Sequence, residues 1–459
     1  MFKVGCDGGV VPSVRRRQEG PDATRSAVAH LVRRAAFGAP PEEIDELAAL
    51  GYEGAVDALL RGLDAEDGGA DAVTPPEFRT AEIVAARRGS AEERAEANRL
   101  AAAERRALPV WWVGRMAAAE HPLREKLTFL WHDHFATSLA KVTLAELLHR
   151  QWATLYELGA GPFDELVGAV ARDPAMLVWL DGRESREGAP NENFARELFE
   201  LFTLGHAGAH SGHGGGAYTE ADVAEAARAL TGWTISPQIE GVLVPARHDR
   251  GTKTVLGRTG ALGLDDVVAA ATTHPACAPH VVARLWSRLA RPADPGDPVV
   301  VELADGFAAD LDVRLLLRRM FLHPDFLAPE TRTALVRTPV DLVVGIARIA
   351  GFVPDERVLP LLAGLGQVPF VPPDVSGWPA NEAWLSTGSA LLRLRLAEFV
   401  AERTPLVERL GHRSADWPDE LARLLGVDGW GPTAEALRAA PDPRTALTAA
   451  LVAPEHLVA

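Results

Sequence analysis

Helical spacing recurs along almost the whole of this chain, and that regularity limits its fold more than any single motif does. Alanine, leucine, arginine and glutamate dominate. All four are strong helix formers, and apolar residues return at three- and four-residue intervals. The spacing predicts helices over 26–37, 41–50, 52–60, 80–107, 110–120, 122–135, 144–158 and 163–172. It continues with helices over 191–204, 220–231, 264–272, 275–289, 313–321, 340–351, 388–403, 417–425 and 433–440. Only 241–244 and 253–257 read as short strands, paired as one hairpin. The expected class is mainly α, a large multi-helix, bundle-like body with one small β-hairpin element.

Breaks fall at the acidic, Gly/Pro-containing 64–76, the Gly/His segment 205–217, the long connection 237–252, the Pro-rich 291–298 and the spacer 408–418. No internal repeat of fixed period occurs. The expected organisation is a disordered segment over 1–25, a main helical domain over 26–404 and a small helical tail over 405–459.

A hydrophobic share of 47% and a charged share of 24% fit a soluble globular protein with a sizeable core. A formal net charge of -16 repels phosphate backbones and anionic membranes, so nucleic acid is not an expected partner. No run of uncharged apolar residues is long enough for a membrane span. Two cysteines, Cys6 and Cys277, make no disulfide framework and suit a reducing cytoplasm. The first twenty residues lack an apolar core and carry Arg15, Arg16 and Arg17, so they are no secretory signal as written. A misassigned start site would leave export open.

The densest polar chemistry lies in Pro190 to Gly205, where Asn191, Glu192, Asn193, Arg196, Glu197 and Glu200 share one helix with a continuous apolar face. Asn193, Glu197 and Glu200 fall on the flank of that face, so Glu197 sits at the core edge. Burial there would raise its pKa toward a general-acid value. The plain alternative is an exposed i, i+4 ladder of Glu192, Arg196 and Glu200.

In Pro122 to Phe135, Leu123, Leu127, Leu130 and Trp131 define one apolar arc. His134 falls inside it and His132 nearly opposite, so a regular helix cannot aim both at one metal. His134 reads either as a buried, hydrogen-bonded histidine or as a ligand or general base. Glu197 and His134 could meet across two packed helices.

In Tyr218 to Trp233, Arg228 offers a cation for the same site. His248 and Asp249 lie on a connection, where function often resides. Trp378, in a rigid aromatic segment, walls a pocket or plugs the core. His206, His210 and His213 look metal-binding by composition, but ordering a Gly-rich loop is costly and adventitious metal is the plainer reading. Standard nucleotide-binding, serine-hydrolase and thiolate-zinc signatures are missing.

Several segments together resemble a bacterial family known as domain of unknown function 1800. They include His30 to Gly38, Trp131 to Phe135, Asp173 to Met176, the Asn191 helix, Tyr218 to Glu220 and Leu230 to Trp233. His248-Asp249, Lys253 to Gly257, His274 to Ala276, Thr338 to Val340 and Gly377 to Pro379 complete the set, which spans roughly 30–395. The resemblance implies a helical protein with no established activity. Members often accompany a second family similar to the alkaline phosphatase and sulfatase superfamily, which implies a partner and not a reaction. Many members look exported, whereas this chain lacks the signal, and its Gly/His insertion departs from the usual shorter linker.

The leading expectation is an enzyme of hydrolytic or oxidative type, with its site between the Trp131–Phe135 and Asn191–Gly205 helices. His134 and Glu197 are expected as an acid/base pair or as ligands of a divalent metal ion, with Arg228 beside them. Asn193, Glu200, His248, Asp249 and Trp378 are expected to bind substrate. The rival is a non-catalytic accessory protein acting with a phosphatase- or sulfatase-like partner, these residues then forming a buried specificity network.

Overall fold

A computed structural model describes residues 21–206, 216–411 and 413–458. It is mainly α, with two small two-stranded antiparallel sheets. The two expected strands do not pair with each other. β1 (Trp233–Ile235) pairs with β2 (Gly241–Leu243), and β3 (Lys253–Val255) pairs with β4 (Arg258–Gly260). Each strand takes the nearer partner, because a short loop closes at less entropic cost than a long one. No helix of the described residues is long and apolar enough to cross a membrane.

Helix boundaries follow capping chemistry. The first helix starts at Pro21, inside the segment expected to be disordered, with Asp22 in its first turn. The helix Ala91–Ala118 runs straight through Pro109, where a break was expected. It starts instead at Ser90, whose side chain accepts from the Glu93 N–H while Glu93 accepts from the Ser90 N–H.

Two apolar cores share the molecule. One joins the N-terminal helices to the 163–326 region, and the other joins Trp112, Phe370 and Trp378 to Leu447 and Leu451 near the C-terminus. The tail expected over 405–459 is therefore part of the body. Val336 and Val458 form an antiparallel bridge, and the Arg337 N–H donates to the Leu457 carbonyl at 2.8 Å.

The helix Pro122–His134 lies between the cores. Leu123, Leu127, Leu130 and Trp131 face the first, and Phe129 faces the second. Every residue of this helix except Arg124 is buried, so the face read as polar is also interior. Each buried charged side chain on it is paired, as burial demands. Glu125 accepts from Arg115 and from the Trp112 indole, Lys126 pairs with Asp341, and Asp133 pairs with Arg288.

Candidate functional site

The Trp131–Phe135 run works as a clamp. The Trp131 indole donates to the Gly159 carbonyl at 2.7 Å. His132 Nε2 accepts the Phe370 N–H at 3.0 Å, and burial pushes this imidazole down to about 3. Asp133 Oδ1 accepts the Trp378 N–H at 2.7 Å, and its Oδ2 lies 2.7 Å from Arg288. Gly377 makes this approach possible. A Cβ there would lie 2.3 Å from the Asp133 carbonyl oxygen and 2.4 Å from Oδ1, on a backbone with φ of +88°. The Trp378 ring is buried, stacked on Phe129 and edge-on to His132. It plugs the core and does not line a cleft.

His134 donates from Nε2 to the Phe202 carbonyl at 3.0 Å. Its other ring nitrogen, Nδ1, is buried without a hydrogen-bond partner. Burial holds its pKa well below the ordinary value, helped by the nearby Arg284 and His280. The bond to Phe202 exists because the Asn191 helix changes winding. Glu192–Glu197 is α-helical, but Leu198–Thr203 is a π-helix. The Leu204 N–H reaches back to the Phe199 carbonyl at 2.7 Å, as does the Gly205 N–H at 3.1 Å. Carbonyls near the end of the wide turn are left to side chains. Phe202 takes His134, and Leu201 takes Nε2 of His280 at 2.9 Å.

Glu197 is half-buried. Burial, then the neighbouring Glu200 carboxylate, pushes its pKa up. His206 and Asp374 also act on it. Among the described residues no hydrogen bond or ion pair joins Glu197 to His134, whose Nε2 is taken by the Phe202 carbonyl. Glu200 instead meets His206, with Oε1 3.0 Å from Nε2. No group of three or more His, Cys, Asp or Glu side chains placed to hold a metal occurs among the described residues. His210 and His213 lie outside those residues.

His206 stands on the wall of a cleft of about 680 Å³. The helix Cys277–Leu289 also lines it, presenting His280, Arg284 and Arg288 at four-residue intervals, hence on one face. Arg284 donates to the Ser376 carbonyl at 2.8 Å, and Arg288 donates to the Trp378 carbonyl at 2.8 Å. The Asp133 clamp thus fixes both the cleft's cations and its rim.

Three other expected residues gather elsewhere. Arg228 pairs with Asp249 at 2.7 Å and Glu225 at 2.9 Å, and its pKa is raised by these hydrogen bonds. His248 Nδ1 donates to the Thr231 carbonyl at 3.0 Å. The buried Lys253 ammonium donates to the carbonyls of Asp249, Gly251 and Leu262. This cluster fastens the 245–252 connection to the helix Glu220–Ala229. Asn193 is exposed, its N–H donated to the N-cap residue Asn191 at 2.9 Å.

The model of the family described as "Protein of unknown function (DUF1800)" matches residues 30–458. The chain belongs to this family. No curated protein and no solved structure matches it. The match includes the C-terminal helices, in keeping with their place in the second core. Sequence reasoning missed Asp133, His280, Arg284 and Arg288, and it set His206 aside as loop composition. The i, i+4, i+8 spacing of His280, Arg284 and Arg288 was the readable signal.

Proposed function

We propose that this protein is an enzyme carrying out hydrolytic acid–base chemistry on a small anionic substrate in the cleft beside the π-turn. The carrying observation is the Glu200–His206 pair, 3.0 Å apart, with His206 lining the same cleft as His280, Arg284 and Arg288. A carboxylate that orients an imidazole supplies a proton acceptor and donor at neutral pH. Arg284 and Arg288 would hold the anionic group and stabilise charge developing on it. Glu197, raised by burial and by Glu200, serves as a second proton reservoir beside the pair. His134 acts beneath it, holding the π-turn that carries Glu197, Glu200 and His206.

The reading is tested with nitrophenyl phosphate, sulfate and carboxylate esters on the parent, Glu200→Gln and His206→Gln. Turnover of at least one class, lowered about 100-fold in both variants at an unchanged melting temperature, is expected. No turnover across the panel, or turnover untouched by either change, overturns it.

A second reading has one observation in its favour. Leu385, Leu391 and Leu394 are exposed on and beside the helix Thr387–Ala401, and exposed apolar residues in a group favour a protein contact. Here the chain would be an accessory to a partner similar to the alkaline phosphatase and sulfatase superfamily. Co-expression with that partner and failure to co-purify would count against it.

A further inference from the structure

A second, smaller cavity of about 40 Å³ shares Ser287, Arg288 and Ala380 with the cleft. A water needs about 10–15 Å³ on this kind of measure, so the space exceeds one water. Its lining is out of keeping with a chain of net charge -16. Arg33, Arg34, Lys126, Arg288 and Arg337 surround it, against the single carboxylate of Asp341.

The charges do not balance. Asp341 pairs with Lys126, and Asp133 pairs with Arg288. Arg337 is held by the Phe37 carbonyl at 2.8 Å, the Asp341 carbonyl at 3.0 Å and Nε2 of His456 at 2.8 Å, none of them a carboxylate. His456 is neutral in this role, since burial pushes it down to about 3 and its Nδ1 faces the Leu451 carbonyl at 3.0 Å. Arg34 donates once, to the Thr331 carbonyl at 2.5 Å, and its Nε and Nη1 are buried without partners. Arg33 Nε is likewise buried without a partner. Among the described residues no carboxylate forms an ion pair with any of these three guanidinium groups, and only Asp428 acts on Arg33, and Asp341 on Arg34 and Arg337, at longer range.

Burying a charge without a counter-charge costs several kcal/mol. The strain is visible in the arginines themselves. Burial, with Arg33 close by, pushes Arg34 down to about 9, and burial pushes Arg337 down to about 10. Arg34 and Arg337 remain charged at neutral pH. Planar guanidinium forks with free N–H groups are suited to the oxygens of a tetrahedral anion.

We propose that this cavity is an oxyanion site for phosphate or sulfate, free or as the head of a monoester whose body extends past Arg288 into the cleft. It goes beyond the hydrolytic reading and stands without it, because Arg33, Arg34 and Arg337 take no part in the Glu200–His206 chemistry. An anion seated here supplies the missing counter-charge and ties the His30–Gly38 segment to the Arg337 segment.

The test is thermal unfolding of the full chain in inorganic phosphate, sulfate or glycerol phosphate, each against chloride at equal ionic strength. An anion on the order of ten times its Kd should raise the melting temperature of the parent by about 1–2 °C. Arg33→Met and Arg34→Gln should each lose most of that rise. Without phosphate, Arg33→Met should melt no lower than the parent, because it removes a buried charge that no carboxylate pairs directly. A larger response to glycerol phosphate than to phosphate assigns the monoester, and equal responses assign the free ion. A parent that responds to none of the three beyond chloride overturns the proposal. So does a response retained in full by both variants.

Discussion

At the scale of single residues, what matters is how buried polar groups are satisfied. His134 was legible as a special residue, because a histidine on an apolar arc must either bond or bind. Its partner was not legible, because that partner is a backbone carbonyl freed by a π-turn 68 residues away in sequence. Replacing His134 with Ala orphans the Phe202 carbonyl and opens a void. A loss of ~2–4 kcal/mol is expected from denaturant midpoints, and a variant as stable as the parent would contradict the carbonyl role. Gly377→Ala drives a methyl into Asp133 on a left-handed backbone. The strain alone costs about 1–3 kcal/mol, and because the same clamp seats Arg288, anion-induced stabilisation should fall with it. Glu197 shows the opposite balance of legibility. Its place at the core edge followed from helical phase, but its partners, Glu200 and His206, depended on a loop that composition alone made look adventitious.

At the scale of elements, caps and winding decide what spacing cannot. The Ser90-to-Glu93 capping box was present in the sequence and outweighs Pro109 as a boundary signal. The proline sits inside the helix because neighbouring packing keeps the turn closed, buried as it is among Leu108, Trp111 and Trp112. The helix Pro298–Asp310 escaped notice because it follows the Pro-rich 291–298 break and opens on a Val299-Val300-Val301 run of weak helix propensity. The helix Pro174–Trp179 is capped by Asp173, whose Oδ1 accepts both the Met176 N–H at 3.0 Å and the Gln151 amide at 2.9 Å. Burial pushes this carboxyl up to about 7 from its ordinary 3.8. A raised acid penalises the fold once it ionises, so the penalty is absent below pH 3.8, grows between 3.8 and about 7, and is complete above. Asp173→Asn keeps a cap oxygen without the charge. It should melt higher than the parent at pH 8 and no higher at pH 4, and the reverse order would refute the assignment.

At the scale of the whole molecule, the C-terminal helices belong to the second core. The C-terminal helices looked separable because 408–418 reads as a spacer, yet Arg409 pairs with Glu42 and Arg423 with Asp45 across more than 360 residues of sequence. Removing residues 405–459 strips Leu447, Ala450 and Leu451 from the second core and His456 from Arg337. The truncated chain should lack a cooperative unfolding transition by circular dichroism, whereas a sharp transition would restore a separate tail. Placing polar groups for a ligand rather than for the fold leaves the empty protein less stable than its sequence allows. Glu197 tests this most directly. Its raised pKa means that the ionised carboxylate works against the folded state at neutral pH. Melting of Glu197→Gln and the parent, compared from pH 4 to pH 8, decides the matter. If the cleft is a working site, the variant equals or exceeds the parent at pH 8, and any advantage disappears toward pH 4, where both side chains are neutral. If Glu197→Gln melts several degrees lower at every pH, the carboxylate is holding the fold, and the cleft beside the π-turn is structural.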